Sequence, residues 1–304
     1  MAEVGVSALQ FRISHVILRE SLQSAIERLT AAHVGSPRMN AETLMMFTLG
    51  CDRAYLYAHP ERELSSDEQA RYEAAITQRS HGIPAQYITG HQEFWGMDLI
   101  VSPAVLIPRP ETEHLIETVL SLIRGEEIGD PNRPLTRGTP LRIVDVGTGS
   151  GAIALALAKE LATAEIYATD ISPDALEVAR ANAARHELQN RISFRQADLL
   201  GDLTNFDIVV SNPPYVGESE EDEVQLEVRK CEPRQAVFAG PTGAEVIARL
   251  IPRAIAALNR NGWLVLEISG TIVETVKELL SGWRQVRVTP DLQGIPRVIS
   301  AQKP

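Results

Sequence analysis

Hydrophobic positions recur along this chain with two different periods, and the change falls near residues 84 to 105. Before it the spacing is helical: Leu18, Leu22, Ala25, Ile26 and Leu29 share one face of a 3.6-residue repeat. Asn40 reads as the N-cap of a second helix, Ala41 to Phe47, that stops at Gly50. Ser66 reads as the cap of a third, with Asp67 and Glu68 in the first turn, where negative charge suits the helix dipole, and with Ala70, Tyr72, Ala75 and Ile76 along it. No strand is needed to explain residues 1 to 80. They predict a small helical bundle near the lower size limit for an independent core.

Residues 86 to 101 mix aromatic and β-branched side chains with turn-forming glycines: Gln86-Tyr87-Ile88-Thr89-Gly90, then Glu93-Phe94-Trp95-Gly96-Met97-Asp98-Leu99-Ile100-Val101. That pattern predicts a β-hairpin bridging two domains, with Phe94 and Trp95 packing it. An amphipathic helix to about Ile123 follows Val105 to Glu113, and the Pro- and Gly-rich residues 124 to 140 read as a surface loop. From 141 onward apolar runs alternate with helical spacing. Strands are expected at 142–146, 165–169, 192–196, 206–211 and 262–268, and helices at about 151–161, 173–186 and 243–259. Such alternation predicts a parallel sheet covered on both faces, closed by an antiparallel edge pair at 284–289 and 296–301. The organisation expected is a helical domain over 1–84, a hairpin linker over 85–103 and an α/β catalytic domain over 104–304.

Composition narrows the class. The chain has 304 residues, 44% of them hydrophobic, which is ordinary for a globular protein. No run approaches the roughly 20 apolar residues of a membrane span, and the N-terminus has no secretory signal, so a cytoplasmic setting is expected. Cys51 and Cys231 are the only cysteines, with no CxxC or His/Cys cluster, which argues against a metal site. The net charge of −11 disfavours a bare nucleic-acid partner, because phosphate neutralisation supplies most non-specific affinity.

The chemistry gathers at the ends of the predicted parallel strands, where open α/β sheets bind ligands. Asp145-Val146-Gly147-Thr148-Gly149-Ser150-Gly151 is a strand running into a glycine turn, without the GxGxxG spacing of a dinucleotide site or the GK[ST] of a phosphate loop. A carboxylate before the glycines would repel a pyrophosphate and suits a cationic or amino-bearing ligand. Asp170, at the end of the next strand, has the place of a ribose-binding acid, with Ser172 the better cap for the helix that Pro173 opens. Asp198-Leu199 follows the third strand, where an acid suits an adenine amino group. Asn212-Pro213-Pro214-Tyr215 ends the fourth: two prolines cannot continue a ladder, and an Asn offers an acceptor and a two-proton donor to another planar amide or ring amine. Together these describe a nucleoside pocket beside a polar reacting site. Arg109 and Glu111 line its entrance or belong to a stiff, water-facing linker, and the acidic run Glu218 to Glu223 is a solvated loop, a lid or a surface for a basic partner. The residues alone leave those alternatives open.

These segments resemble the class I S-adenosylmethionine-dependent methyltransferases that act on planar nitrogen. Tyr87-Ile88-Thr89-Gly90, Phe94-Trp95-Gly96, Val105 to Glu113, Thr169-Asp170-Ile171-Ser172, Glu232-Pro233 and Leu266-Glu267-Ile268 are similar, more narrowly, to the PrmC/HemK family, the glutamine methyltransferases of peptide chain release factors. Glu267-Ile268-Ser269-Gly270 departs from the family's usual Glu-Ile-Gly. The resemblance implies a Rossmann-like α/β fold with a mostly parallel seven-stranded sheet. It also implies S-adenosyl-L-methionine as cofactor, S-adenosyl-L-homocysteine as product, and a glutamine in a Gly-Gly-Gln motif as acceptor. Carried onto this sequence, it places Gly147, Thr148, Gly149, Ser150 and Gly151 along the methionine part of the cofactor, Asp170 at the ribose and Asp198 and Leu199 at the adenine. Asn212, Pro213, Pro214 and Tyr215 fall at the substrate glutamine, with Asn212 also close to the cofactor and Asn212, Pro213 and Tyr215 catalytic. A monomer acting on release factors, without stable nucleic-acid binding, is the expected form. An adenine-N6 methyltransferase of DNA or RNA shares the Asn-Pro-Pro-Tyr chemistry and is the alternative.

Overall fold

The computed structural model describes residues 16–125 and 140–304, so most of the loop expected at 124 to 140 lies outside the described residues. The chain divides into two compact units at Thr89/Gly90.

The first unit holds helices α1 (Leu18–Ala31), α2 (Pro37–Leu49), α3 (Arg53–Ala58), α4 (Ser66–Ser80) and α5 (Ala85–Thr89). Its core is Leu18, Leu29, Leu44, Met45, Tyr72 and Ile76, the apolar stripes of α1, α2 and α4. Two predicted caps move. Helix α2 starts at Pro37 behind Ser36, because proline's fixed φ suits the first helical position. Asn40 is therefore inside the helix and buried, donating to the Gly35 carbonyl at 2.9 Å and accepting from Arg79 Nε at 2.8 Å. For α4 the cap is Ser65, which forms a reciprocal capping box with Glu68. The segment 85–89, expected as strand, is the helix α5: Pro84 opens it and its carbonyl receives the Tyr87 and Ile88 N–H groups.

The second unit begins with the hairpin β1 (His91–Phe94) and β2 (Met97–Ile100). Trp95 and Gly96 both have positive φ, the type I′ geometry that matches strand twist. Phe94, Met97 and Leu99 join the main core of this unit, so the hairpin is part of it. Next come the 3₁₀ turn Pro110–Thr112 and α6 (Glu113–Arg124), then the alternation β3 (Arg142–Val146), α7 (Ala152–Glu160), β4 (Glu165–Asp170), α8 (Pro173–Arg185), β5 (Ile192–Gln196) and β6 (Phe206–Ser211). Past the short elements β7 (Val216–Gly217), α9 (Leu226–Cys231), α10 (Arg234–Val237) and β8 (Phe238–Gly240), the chain finishes as α11 (Glu245–Ala257), β9 (Leu258–Glu267), α12 (Val273–Leu279), β10 (Arg284–Pro290) and β11 (Pro296–Gln302).

Seven strands form one sheet in the order β10-β11-β9-β6-β3-β4-β5. Strand β11 runs antiparallel to both of its neighbours, and the remaining pairings are parallel. Leu115, Leu155 and Ala183 from α6, α7 and α8 pack into one apolar cluster, and Ile247 and Val276 from α11 and α12 into the other. Strand β9 starts earlier than its apolar run predicts. Leu258 pairs with Phe206, the polar stretch Asn259-Arg260-Asn261 bulges out, and the ladder resumes where Trp263 meets Ile208. The chain visits β3, β4 and β5 in one direction and then returns to place β6 on the other side of β3. That reversal opens a crevice at the carboxyl ends of β3, β4 and β6, the topological switch point of the sheet.

Candidate active site

Three strand ends meet at the crevice. After β3 the glycine turn is tied to β4 by the Gly147 and Thr148 N–H groups, which donate to the Thr169 carbonyl at 2.8 and 2.9 Å. Gly147 and Gly149 have φ of +73° and +55°, and a Cβ built on either would meet no protein atom within 4 Å, so the space beside them is open to a ligand. Gly151 is different: its φ is +85°, but a Cβ there would lie 3.2 Å from Ala179 and Leu155. It serves the packing of α7 on α8 and is not among the residues around the cavity. The Ser150 carbonyl accepts from Asn182 Nδ2 at 2.9 Å, and Asn182 also exchanges bonds with the backbone of Ile100, at 2.6 and 2.9 Å. This fully buried Asn joins the glycine turn to the hairpin. It is absent from the site expected from sequence, although a polar residue in the buried stripe Leu176, Ala179, Ala183 is a signal.

Asp170 ends β4 with both carboxylate oxygens engaged: Oδ2 accepts the Gly149 N–H and Oδ1 the Ser172 N–H, each at 2.9 Å. Ser172 caps α8 by accepting from Ala175. Each Asp170 oxygen keeps a further lone pair for a ligand hydroxyl. Asp198 and Leu199 lie on the cavity wall, and Asp198 is ion-paired with Arg249. Asp145 is fully buried behind the turn, accepting the Thr148 hydroxyl at 2.6 Å. Burial lifts its carboxyl from the usual range to about 7, with the Thr148 bond opposing the rise.

On the β6 side Asn212, Pro213 and Pro214 border the cavity. Asn212 Nδ2 donates to the Thr112 hydroxyl at 3.2 Å, which leaves its Oδ1 as an acceptor. Tyr215 does not border the cavity. Its ring packs against the second apolar cluster and its hydroxyl donates to Glu267 Oε1 at 3.1 Å. Burial, then the Glu267 charge, push the Tyr215 phenol up. Glu267 is itself buried, and burial lifts it to about 7 against the influence of Thr112, Tyr215 and Arg297. Thr112 and Glu267 are thus site residues that carried no separate signal beyond the segments in which they stand.

Arg109 pairs with the buried Glu232, whose other oxygen accepts the Ile107 N–H at 3.2 Å. Arg109 therefore anchors the Pro-rich segment, and neither it nor Glu111 borders the cavity. Burial raises the Glu232 carboxyl while Arg109 opposes it. The acidic run is a 3₁₀ helix, Glu218–Glu223, in which Glu221 makes a two-pronged pair with Arg234 and Asp222 a pair with Arg229.

The cavity enclosed by these segments is about 340 Å³, within the range of small-molecule sites. Open space beside two glycines, a carboxylate with spare lone pairs and a mostly apolar wall suit a nucleoside joined to an amino acid. Among the described residues, no cluster of His, Cys, Asp and Glu could hold a metal ion, and no helix is long and apolar enough to cross a membrane.

Two family models match the chain: the PrmC N-terminal domain over residues 20–90 and the Methyltransferase small domain over residues 134–229. The chain is 52% identical over 290 residues to the release factor glutamine methyltransferase of Koribacter versatilis (strain Ellin345), covering 94% of this chain and 99% of that relative. It is 40% identical over 291 residues to the release factor glutamine methyltransferase of Moorella thermoacetica (strain ATCC 39073 / JCM 9320), covering 94% and 98%. In fold it resembles the crystal structure of the hMettl16 catalytic domain in complex with the MAT2A 3'UTR hairpin 6, with a TM-score of 0.53 and 17% identity over 82% of this chain and 92% of that one.

A seven-stranded sheet with this order, a glycine turn at its switch point and these relatives define a class I, S-adenosylmethionine-dependent methyltransferase. Within that class, the chain belongs to the release factor glutamine methyltransferase family.

Proposed function

We propose that this enzyme methylates the side-chain amide nitrogen, N5, of the glutamine in the Gly-Gly-Gln motif of peptide chain release factors. The observation that carries the reading is the held amide of Asn212, whose nitrogen is engaged by Thr112 and whose oxygen is left for an N–H at the cavity edge. Gly147 and Gly149 leave room for the methionine part of the cofactor, Asp170 receives the ribose hydroxyls, and Asp198 and Leu199 flank the adenine. Thr148 and Ser150 complete the turn, and Gly151 supports it from behind.

When bound, S-adenosylmethionine supplies a methyl already activated on a sulfonium. The difficulty lies in the acceptor, because an amide nitrogen shares its lone pair with the carbonyl. Asn212 Oδ1 and the Pro213 carbonyl accept its two N–H groups, orient the lone pair and stabilise the positive charge that develops. Orientation of this kind contributes up to roughly 7–11 kcal/mol in favourable cases. Held in this way by Asn212 and Pro213, the glutamine nitrogen would take the methyl that the bound cofactor supplies, the new C–N bond replacing the S–CH₃ bond, whose electron pair would stay on sulfur. The methylated amide then gives one proton to solvent. Pro214 stiffens the segment, and Tyr215 supports it from the core side through Glu267.

The helical first unit serves as a docking platform for the release factor, in the cytoplasm, with the enzyme a monomer. A glutamine on a glycine-rich loop enters a deep pocket while the bodies dock elsewhere. The test is labelled methyl transfer to purified release factor, to a release factor whose motif glutamine is replaced by alanine, and to plasmid DNA. Label is expected on the first substrate alone. Label on the DNA would instead support an adenine methyltransferase.

A further inference from the structure

The Asn212 amide has two faces, and only one serves the acceptor: with its oxygen outward it accepts an N–H, and with its nitrogen outward it repels one. Something must set that choice. The Thr112 hydroxyl, which is buried, is bound to Asn212 Nδ2 at 3.2 Å. A hydroxyl accepts and donates at once, so it fixes the amide only if its own proton is committed elsewhere. Glu267 is the available sink. Its Oε1 takes the Tyr215 hydroxyl at 3.1 Å, its Oε2 is buried with no hydrogen-bond partner and so has a free lone pair for one, and the Thr112 hydroxyl favours its ionised form.

We propose that Thr112 and Glu267 are positioning residues for methyl transfer: Glu267 takes the Thr112 proton in a hydrogen bond, Thr112 can then only accept from Asn212 Nδ2, and Asn212 Oδ1 is held toward the acceptor nitrogen. The same carboxylate holds the Tyr215 hydroxyl, so one buried charge sets both ends of the Asn-Pro-Pro-Tyr segment. This rests on the reading of the function above.

The charge on Glu267 is what the relay requires. The groups facing it are Tyr215 after β6, Arg297 on β11, and Glu111 and Thr112 in the 3₁₀ turn before α6. Arg297 favours the ionised form and Glu111 opposes it; burial is the largest influence and brings the carboxyl to about 7. Below that pH a protonated Glu267 can donate to Thr112, which frees Thr112 to donate to Asn212 and releases the amide to turn over.

The experiment compares Thr112→Val, Thr112→Ser and Glu267→Gln with the wild type. Thr112→Val should lower kcat about tenfold or more with cofactor Kd changed less than about twofold, and Thr112→Ser should restore most of the loss. The wild-type kcat should fall on the acid side of about pH 7, and Glu267→Gln should remove that limb. Equal losses in the Val and Ser variants, wild-type kcat in Thr112→Val, or an acid limb unchanged in Glu267→Gln would each overturn the proposal. The side-chain ¹⁵N–¹H signals of Asn212 read the same contact without catalysis. They should shift in Thr112→Val and titrate in the wild type but not in Glu267→Gln; signals indifferent to all three changes overturn it. Failure of wild-type enzyme to label release factor, with the Asn212 signals behaving as expected, counts against the substrate reading alone.

Discussion

The Asp170 carboxylate accepts the Gly149 N–H at 2.9 Å, and this bond ties the end of β4 to the glycine turn after β3. Asp170 therefore does two things at once: it shapes the turn and presents lone pairs to the cavity. Asp170→Ala removes both. Cofactor Kd, read by calorimetry, should rise about 10- to 100-fold, the range of a charged hydrogen bond. Asp170→Asn, which keeps one acceptor, should fall between the variant and the wild type. Wild-type affinity in Asp170→Ala would sink the ribose assignment.

Asn212 is expected to act on turnover and hardly on cofactor affinity. Its amide borders the cavity but is held from the protein side by Thr112. Asn212→Ala removes an acceptor aimed at charge that develops only in the transition state. Steady-state assays should show kcat lowered about 10²- to 10³-fold. A loss confined to KM would mean that Asn212 only binds substrate.

The central strands were legible because buried strands announce themselves as apolar runs, and Arg142–Val146 and Phe206–Ser211 have the strand limits expected of them; the edge strand Ile192–Gln196 also has its expected limits, read from Ile192 and Phe194 alternating with polar residues. Helix caps were less legible. Ser65 and Ser66 are adjacent serines before the same acidic turn, and only geometry shows that Ser65 closes the box with Glu68. Residues 85–89 carry Tyr, Ile and Thr, which favour strand, yet Pro84 and the local hydrogen bonds make them helical. In the site, Asp170 and Asn212 were readable because each stands at a strand end. Thr112 and Glu267 were not, and Asn182 showed only as a polar residue in a buried stripe, since their work depends on partners as far as 100 residues away that only the fold brings near.

Gly243 is a packing constraint on the acceptor segment. Its φ is +88°, and a Cβ there would lie 2.6 Å from the Tyr215 carbonyl oxygen and 3.0 Å from the Gly217 nitrogen. Both contacts are backbone, so they cannot yield by a rotamer change. Gly243→Ala should lower stability by about 1–3 kcal/mol and displace the chain after Pro214. Thermal melts read the first effect. A fall in kcat with cofactor Kd preserved reads the second, and a variant with wild-type melting and turnover would show that the contact relaxes freely.

Asp145 makes stability depend on pH in a direction opposite to most carboxylates. Its folded-state pKa is about 7 against an ordinary value of 3.8, so between those values the folded chain holds a proton that the unfolded chain has lost. Stability from this group is complete below about pH 4, declines as pH rises toward about 7, and is flat above. At roughly 1.4 kcal/mol per pKa unit the whole decline is of the order of a few kcal/mol. Carboxylates held low, such as Glu68 and Asp291, change stability the other way on the acid side, so the wild-type melt alone mixes both. Asp145→Asn separates them, because Asn is neutral in both states and its oxygen still accepts the Thr148 hydroxyl. The difference between wild-type and Asp145→Asn melting temperatures should shift against the wild type as pH rises through about 4 to 7 and then stay constant. A difference that does not vary with pH would mean that Asp145 is ionised in the folded enzyme throughout.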